Sequence, residues 1–226
     1  MSTVTSHMSI SLDGYVAGPN QSLQAPLGEG GQRLHEWVVN TAGFRSMHGG
    51  SGGESGPDSD VAEAVARDVG AYIMGRKMFG NGARHPAGGA WDESWRGWWG
   101  EDPPFHTPVY VLTHQPREPV PMAGGTTFHF VTDGVESALE QARAAAGGQR
   151  VMVGGGAATV RQYLAAGLLD EVYLHLVPVL LGAGERLLDG LAGDGAGDPG
   201  FEPVQVIASP RVTHIRYRVV PGPGRA

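Results

Sequence analysis

The stretch VMVGGGAATVRQYLAAGLLDEVYLHLVPVLLGAGERLL, Val151 to Leu188, decides the fold. Val151-Met152-Val153 is a short apolar strand, and Gly154, Gly155 and Gly156 follow it. From Ala157 the pattern turns helical, with Val160, Tyr163 and Leu164 on one face. Gly167 is a stop signal. A second strand, Glu171 to Val177, sets Val172, Leu174 and Leu176 on one side. Strand, glycine turn, helix and strand make a βαβ unit. Glycines without Cβ atoms let a ligand approach the backbone. A helix that starts there offers unpaired N–H groups to an anion such as a pyrophosphate. Gly154-x-Gly156 lacks the third glycine of the dinucleotide fingerprint, and Thr159 stands in its place. The same residues also read as a plain turn that packs a helix on a sheet.

At 226 residues the chain reads as a single domain over 1–226, with loop or lid insertions at 43–60 and 81–107. The 37 glycines and 16 prolines cluster, so loops are plentiful without general disorder. The net charge of −7, with no basic run, argues against a nucleic-acid partner. No run of about 20 apolar residues is present, so no membrane span is expected. The N-terminus does not read as a signal peptide, and a cytoplasmic location is the expectation. Cysteine is absent, which removes disulfides, thiolate chemistry and a His/Cys/Cys zinc deaminase. No metal site is expected.

Outward from the central unit, Val4 to Leu12 reads as a strand, followed by Asp13-Gly14 as a turn. Asp13 is either a turn residue or a polar group at a pocket mouth. Gln32 to Thr41 reads as a helix carrying His35, Glu36 and Trp37. The Gly/Ser-rich segment Gly43 to Asp60 reads as a mobile loop, with Asp58 or Asp60 capping a helix from Val61 to Val69. Ala71 to Met74 is a buried strand, and Gly75-Arg76-Lys77 at its end makes a phosphate site or a solvated basic pair. Trp91, Trp95 and Trp98 are spaced for one helix face. With Trp99 they read as an aromatic wall over a flat ligand, a packed lid or a subunit interface. Pro108 to Thr113 and Thr127 to Val131 are strands, and Asp133 caps a helix from Val135 to Ala146. Glu202 to Ala208 and Val212 to Val220 form an antiparallel hairpin.

Alternating strands and helices closed by two strands predict an α/β fold. Its central, mostly parallel sheet has helices on both faces and an antiparallel C-terminal hairpin. Ligands bind outside the carboxyl ends of such strands. Gly75–Lys77, Thr113–Gln115 and Gly154–Gly156 all fall there and together fit an extended anionic ligand. In this order the three loops resemble those of the dihydrofolate reductase fold. Ser11-Leu12-Asp13-Gly14-Tyr15-Val16-Ala17-Gly18 and Leu168-Leu169-Asp170-Glu171-Val172-Tyr173-Leu174-His175, running on to Gly182, carry a narrower resemblance. They resemble the C-terminal reductase domain of the bifunctional riboflavin-biosynthesis protein and its stand-alone relatives.

The resemblance implies an NADPH-dependent reductase of a small heterocyclic (pterin- or pyrimidine-like) or carbonyl or imine substrate. It also implies a homodimer. Gly75, Arg76 and Lys77 would meet the NADPH phosphates, and Thr113 and His114 would flank adenosine. Gly154, Gly155 and Gly156, with Ala157, Ala158 and Thr159, would hold the pyrophosphate and nicotinamide side. Val16 and Ala17 would lie against the nicotinamide. Met78 occupies the place of a phosphate-binding threonine in the folate enzymes. Asp13, Glu36 or His175 would steer protonation, with His175 at the strand place of a pocket threonine. The other reading of the same fold is a nucleotide or small-ligand binder without turnover.

Overall fold

The computed structural model describes residues 2–80, 92–191 and 198–222. Strand β1 (Val4–Ser11) leads into a short β2 (Tyr15–Ala17), then a 3-10 turn, Gly31–His35, and α1 (Glu36–Val39). Next come α2 (Ala42–Met47), α3 (Pro57–Ala66), β3 (Val69–Gly75) and the single turn α4 (Arg76–Phe79). After the segment outside the description come β4 (Pro108–Leu112), β5 (Val120–Pro121), β6 (Thr127–Val131) and α5 (Gly134–Ala146). The chain ends with β7 (Arg150–Gly155), α6 (Ala157–Ala165), β8 (Glu171–Val177), β9 (Glu185–Arg186), β10 (Gly200–Ala208) and β11 (Thr213–Val220).

The main sheet runs β10-β11-β8-β1-β7-β3-β4-β6-β5. From β8 to β6 neighbouring strands are parallel. Antiparallel strands close both edges, β11 and β10 at one and β5 at the other. The expected α/β architecture and its C-terminal hairpin are thus present. β7 is inserted between β1 and β3, pairing Val151 with both Val4 and Ala71. Its apolar run is the signature of a strand buried on both faces, and Val151, Met152 and Val153 are all buried.

Alternation along the strands sorts the core into layers. Val151, Val153 and Ile73 face α5 and α6, meeting Leu139, Val160 and Tyr163. Met152, Tyr72 and Met74 face the other way, toward Phe79, Phe128, Trp95 and Trp99. On that second face, over β8, Leu34 and Trp37 pack with Val177 and Val212. α6 ends as its sequence signals. Gly167 adopts φ 68, its N–H bonds Leu164, and the Leu168 N–H bonds Tyr163, which satisfies the last carbonyls.

Four expectations are corrected. The helix expected over Gln32–Thr41 is a 3-10 turn followed by a single α turn, with Glu36 exposed at the junction. The segment Gly43–Asp60 is not one long loop, because α2 lies in it and α3 begins at Pro57. Asp58 and Asp60 therefore sit inside the first turn of α3, where a carboxylate suits the helix dipole, and Val69 belongs to β3. The helix face proposed for the tryptophans is not formed, for residues 92–107 hold no helix and Trp91 lies outside the described residues. Trp95 instead donates its indole N–H to the Phe79 carbonyl at 2.9 Å and meets Trp98 edge-on. Trp99 lies against Phe105 and Phe128, so these rings are a cover for the sheet. Arg117 holds that cover down, donating to the carbonyls of Glu93 and Trp95 from beneath.

Candidate cofactor and substrate site

Pairing sets the three expected loops side by side. Met74 is in register with Gly155, and Gly75 with Leu112, so the ends of β7, β3 and β4 share one rim. The peptide between Gly155 and Gly156 is cis. A Cβ at Gly75 would overlap the Thr159 hydroxyl, because the first turn of α6 sits directly on this strand end. Gly156 differs: its φ of −72 is ordinary, and a Cβ there would meet no atom within 4 Å. The space in front of α6 is therefore open. The Thr159 and Val160 N–H groups turn back to the Gly156 carbonyl. Those of Ala157 and Ala158 have no acceptor within the helix.

Arg76 and Lys77 open α4 beside this space. Burial lowers the Arg76 guanidinium from its usual range, as expected for a partly desolvated cation. Lys77 reaches Glu185 at 3.4 Å, and both groups are solvated. Glu185 belongs to a two-stranded ribbon in which β9 pairs with β2, Ala17 opposite Glu185. Arg161 of α6 donates to the Arg186 carbonyl of the same ribbon. Val16 and Ala17, both buried, are carried by it. Gly184 must be glycine, since a Cβ would run into the Ala17 carbonyl at φ 128. Met78 packs beneath the glycine turn, 3.4 Å from a Cβ built at Gly154. Thr113 spends its hydroxyl on its own loop, accepting from the Gln115 N–H at 3.1 Å, while His114 is exposed.

The three residues expected to handle protons are not joined to one another by any hydrogen bond or ion pair. Asp13 accepts from the N–H of Gly182 at 2.7 Å, from the Leu181 N–H and from the Ser11 hydroxyl. That hydroxyl and the two backbone N–H groups hold its carboxyl down to about 2. It is a fixed acceptor that ties the end of β1 to the segment after β8. Glu36 is exposed on α1. His175 is 3% exposed, and burial first, then His214 and His35, lower its pKa to about 3. Its Nδ1 lies 2.9 Å from His214 Nδ1, and His214 Nε2 lies 3.2 Å from Asp58. Trp37 covers both imidazoles and donates to the Ser9 hydroxyl at 3.0 Å. The sequence reading missed His214 and Asp58 as neighbours of His175. His214 alternates correctly for a strand face, but its pairing with His175 depends on register across β8 and β11, which no local pattern shows.

A separate cavity of ≈ 460 Å³ lies at the opposite end of the sheet, lined by Thr5, Arg67, Arg150 and Glu171. It opens at the amino ends of the strands, away from the rim where such sheets take ligands. Arg150 there caps α3, donating to the carbonyls of Ala64, Val65 and Arg67. Among the described residues no group of His, Asp and Glu is arranged to hold a metal. No described helix is long and apolar enough to cross a membrane.

Solved structures with this fold include a protein named for riboflavin biosynthesis from Shewanella sp. PV-4. It is 20% identical at TM-score 0.61, with 96% of this chain and 99% of that one covered. The diaminohydroxyphosphoribosylaminopyrimidine deaminase/5-amino-6-(5-phosphoribosylamino)uracil reductase of Thermotoga maritima is 14% identical at TM-score 0.56. There 97% of this chain aligns with 57% of that one. A pyrimidine reductase-like protein of Corynebacterium diphtheriae is 12% identical at TM-score 0.52, covering 97% and 92%. At these identities the likeness speaks to the fold. No curated protein matches the chain. The RibD C-terminal domain family matches residues 2–195, and with the rim described above the conclusion is direct: the chain belongs to the RibD C-terminal domain family.

Proposed function

We propose that this protein is an NADPH-dependent reductase of a small heterocyclic, carbonyl or imine substrate. Family membership supports a reductase of the riboflavin or folate type. The observation that carries the cofactor assignment is the open space at Gly156, at the head of α6 and beside Arg76 and Lys77. A phosphate-bearing ligand would suit that space, because the head of α6 offers backbone N–H groups and Arg76 and Lys77 open the neighbouring α4. Gly154–Gly156 with Ala157, Ala158 and Thr159 would hold the pyrophosphate side, and Gly75–Lys77 the remaining phosphate. Thr113 and His114 would border adenosine, and Val16 and Ala17 the nicotinamide. NADPH would supply the hydride. The chain's own work is to orient both partners, keep water out beneath the β2–β9 ribbon, and manage one proton.

The substrate would lie between this rim and the first helical segment. Asp13, with its carboxyl held down by three donors, serves there as an anchor. Glu36 faces solvent, so we take His175 as the group of the three that would handle a proton. Single-turnover mixing with stoichiometric NADPH, across pyrimidine, pterin and small imine compounds, tests the reading. Loss of reduced-nicotinamide absorbance with one class is expected. Tight NADPH binding with no oxidation by any class would instead favour a ligand-binding role without turnover.

We also propose a homodimer. β10 is an outer strand with Val206 62% exposed and Phe201 and Val204 also exposed, more apolar edge than a monomer usually leaves uncovered. Sedimentation of wild type against Val206→Asp reads this directly, with dissociation expected in the variant.

A further inference from the structure

Asp58, His214 and His175 stand in line from α3 through β11 to β8, all at most 9% exposed. Their distances fix which atoms carry hydrogen. An ionised Asp58 can only accept, so His214 Nε2 must carry the proton that faces it. Neutral His214 then has its lone pair on Nδ1. The 2.9 Å Nδ1–Nδ1 contact needs one hydrogen, which must come from His175. The lone pair of His175 is thereby placed on Nε2, and that atom bonds no group among the described residues. It is not one of the wholly enclosed polar atoms that lack a partner, as His7 Nδ1 and His35 Nδ1 are.

We propose that Asp58, His214 and His175 form a proton relay whose working end is His175 Nε2, and whose charge is held by His214 against Asp58. This rests on the reductase reading above. A proton arriving at His175 Nε2 displaces the shared one from His175 Nδ1 to His214 Nδ1. His214 becomes an imidazolium beside the Asp58 carboxylate, and His175 stays neutral with an N–H at Nε2. When substrate nitrogen or oxygen takes that Nε2 proton, the shared proton returns to His175 and His214 is neutral again. One proton leaves the relay per turnover and one from solvent replaces it. The resting relay accepts at Nε2 and the loaded relay donates.

The surroundings set the balance between the two states. From β1, His7 stacks 5.7 Å from His175, with Arg150 of β7 beside His7. His35 opposes charge at His175 from the first helical segment, and Arg216 of β11 lines one cavity with His214. Trp37 has given its N–H to Ser9 and offers the imidazoles only ring faces. Asp58 is the carboxylate bonded to the line.

Histidine ¹⁵N spectra of the cofactor-free protein test the relay without any substrate. Near pH 7.5 we expect the Nδ1–H tautomer at His175, the Nε2–H tautomer at His214, and one shared titration on acidification. Asp58→Asn, which removes the negative charge but keeps the shape, should lower that midpoint by about one pH unit. His214→Phe should abolish the shared step while the chain stays folded. In single turnover the acid limb should move with the Asp58→Asn midpoint, which a purely structural role would not do. An Nε2–H tautomer at His175, or an unmoved midpoint in Asp58→Asn, overturns the relay. The expected tautomers and shift without turnover of any substrate uphold the relay and sink the reductase reading.

Discussion

Gly75 and Gly156 lack side chains for different reasons, and the difference can be measured. At Gly75 the obstacle is internal, the Thr159 hydroxyl of α6. Gly75→Ala should cost about 1–3 kcal/mol by overpacking. Adding Thr159→Ala should restore most of it, because the two sites share one contact and so are not additive. Denaturant melts of the two single variants and the double check this. At Gly156 there is no such neighbour, and Gly156→Ala should instead weaken NADPH, about tenfold or more. At this scale the sequence was legible where backbone chemistry decides. The glycine turn, the Gly167 stop and the Asp13 turn follow from the residues themselves. The Asp58–His214–His175 line was not legible, because three distant segments meet only through sheet register.

The elements depend on a few directional ties. Tyr163 is fully buried on α6 and donates its hydroxyl to the Val135 carbonyl at the start of α5, at 2.8 Å. Tyr163→Phe removes that tie between α6 and α5 and should cost about 1 kcal/mol, read as a lower melting midpoint with the fold intact. The expected elements that failed share one cause. Over Gln32–Thr41 and across the tryptophans, apolar spacing suited a helix, yet Trp37 and Trp95 are placed by tertiary hydrogen bonds to Ser9 and Phe79. Side chains anchored in this way override a local period. The short β2 and β9 escaped notice because two-residue pairing leaves no pattern of alternation.

Across the whole molecule, acid should act in two stages. His7, His35, His175 and His214 are each lowered below 6.5, with burial the largest cause for each. Such bases take up protons more readily unfolded than folded. Their stabilisation is complete above about pH 6.5 and declines as pH falls toward the value of about 3 at His175. Asp13 acts in the same sense but in a lower window. Its lowered carboxyl stabilises the fold above about 3.8, and this is lost as pH drops through about 2. Melting temperature against pH should therefore begin to fall near 6.5, with the loop tied by Asp13 loosening only later. His175→Gln should flatten the first decline. A melting temperature unchanged between pH 7 and 5 would contradict the buried neutral histidines.

The fold was readable at this scale from the order of strands and helices alone, because β7 announces itself as a buried strand ending in glycines. What the rim holds rests on one claim, that it grips a phosphate-bearing nicotinamide. Calorimetric titration of the wild type and Arg76→Ala with NADPH and NADH tests it most directly. The account predicts one site per chain, tighter for NADPH, with Arg76→Ala erasing most of that preference while NADH binding changes little. No saturable binding, or equal losses for both cofactors in the variant, would contradict it.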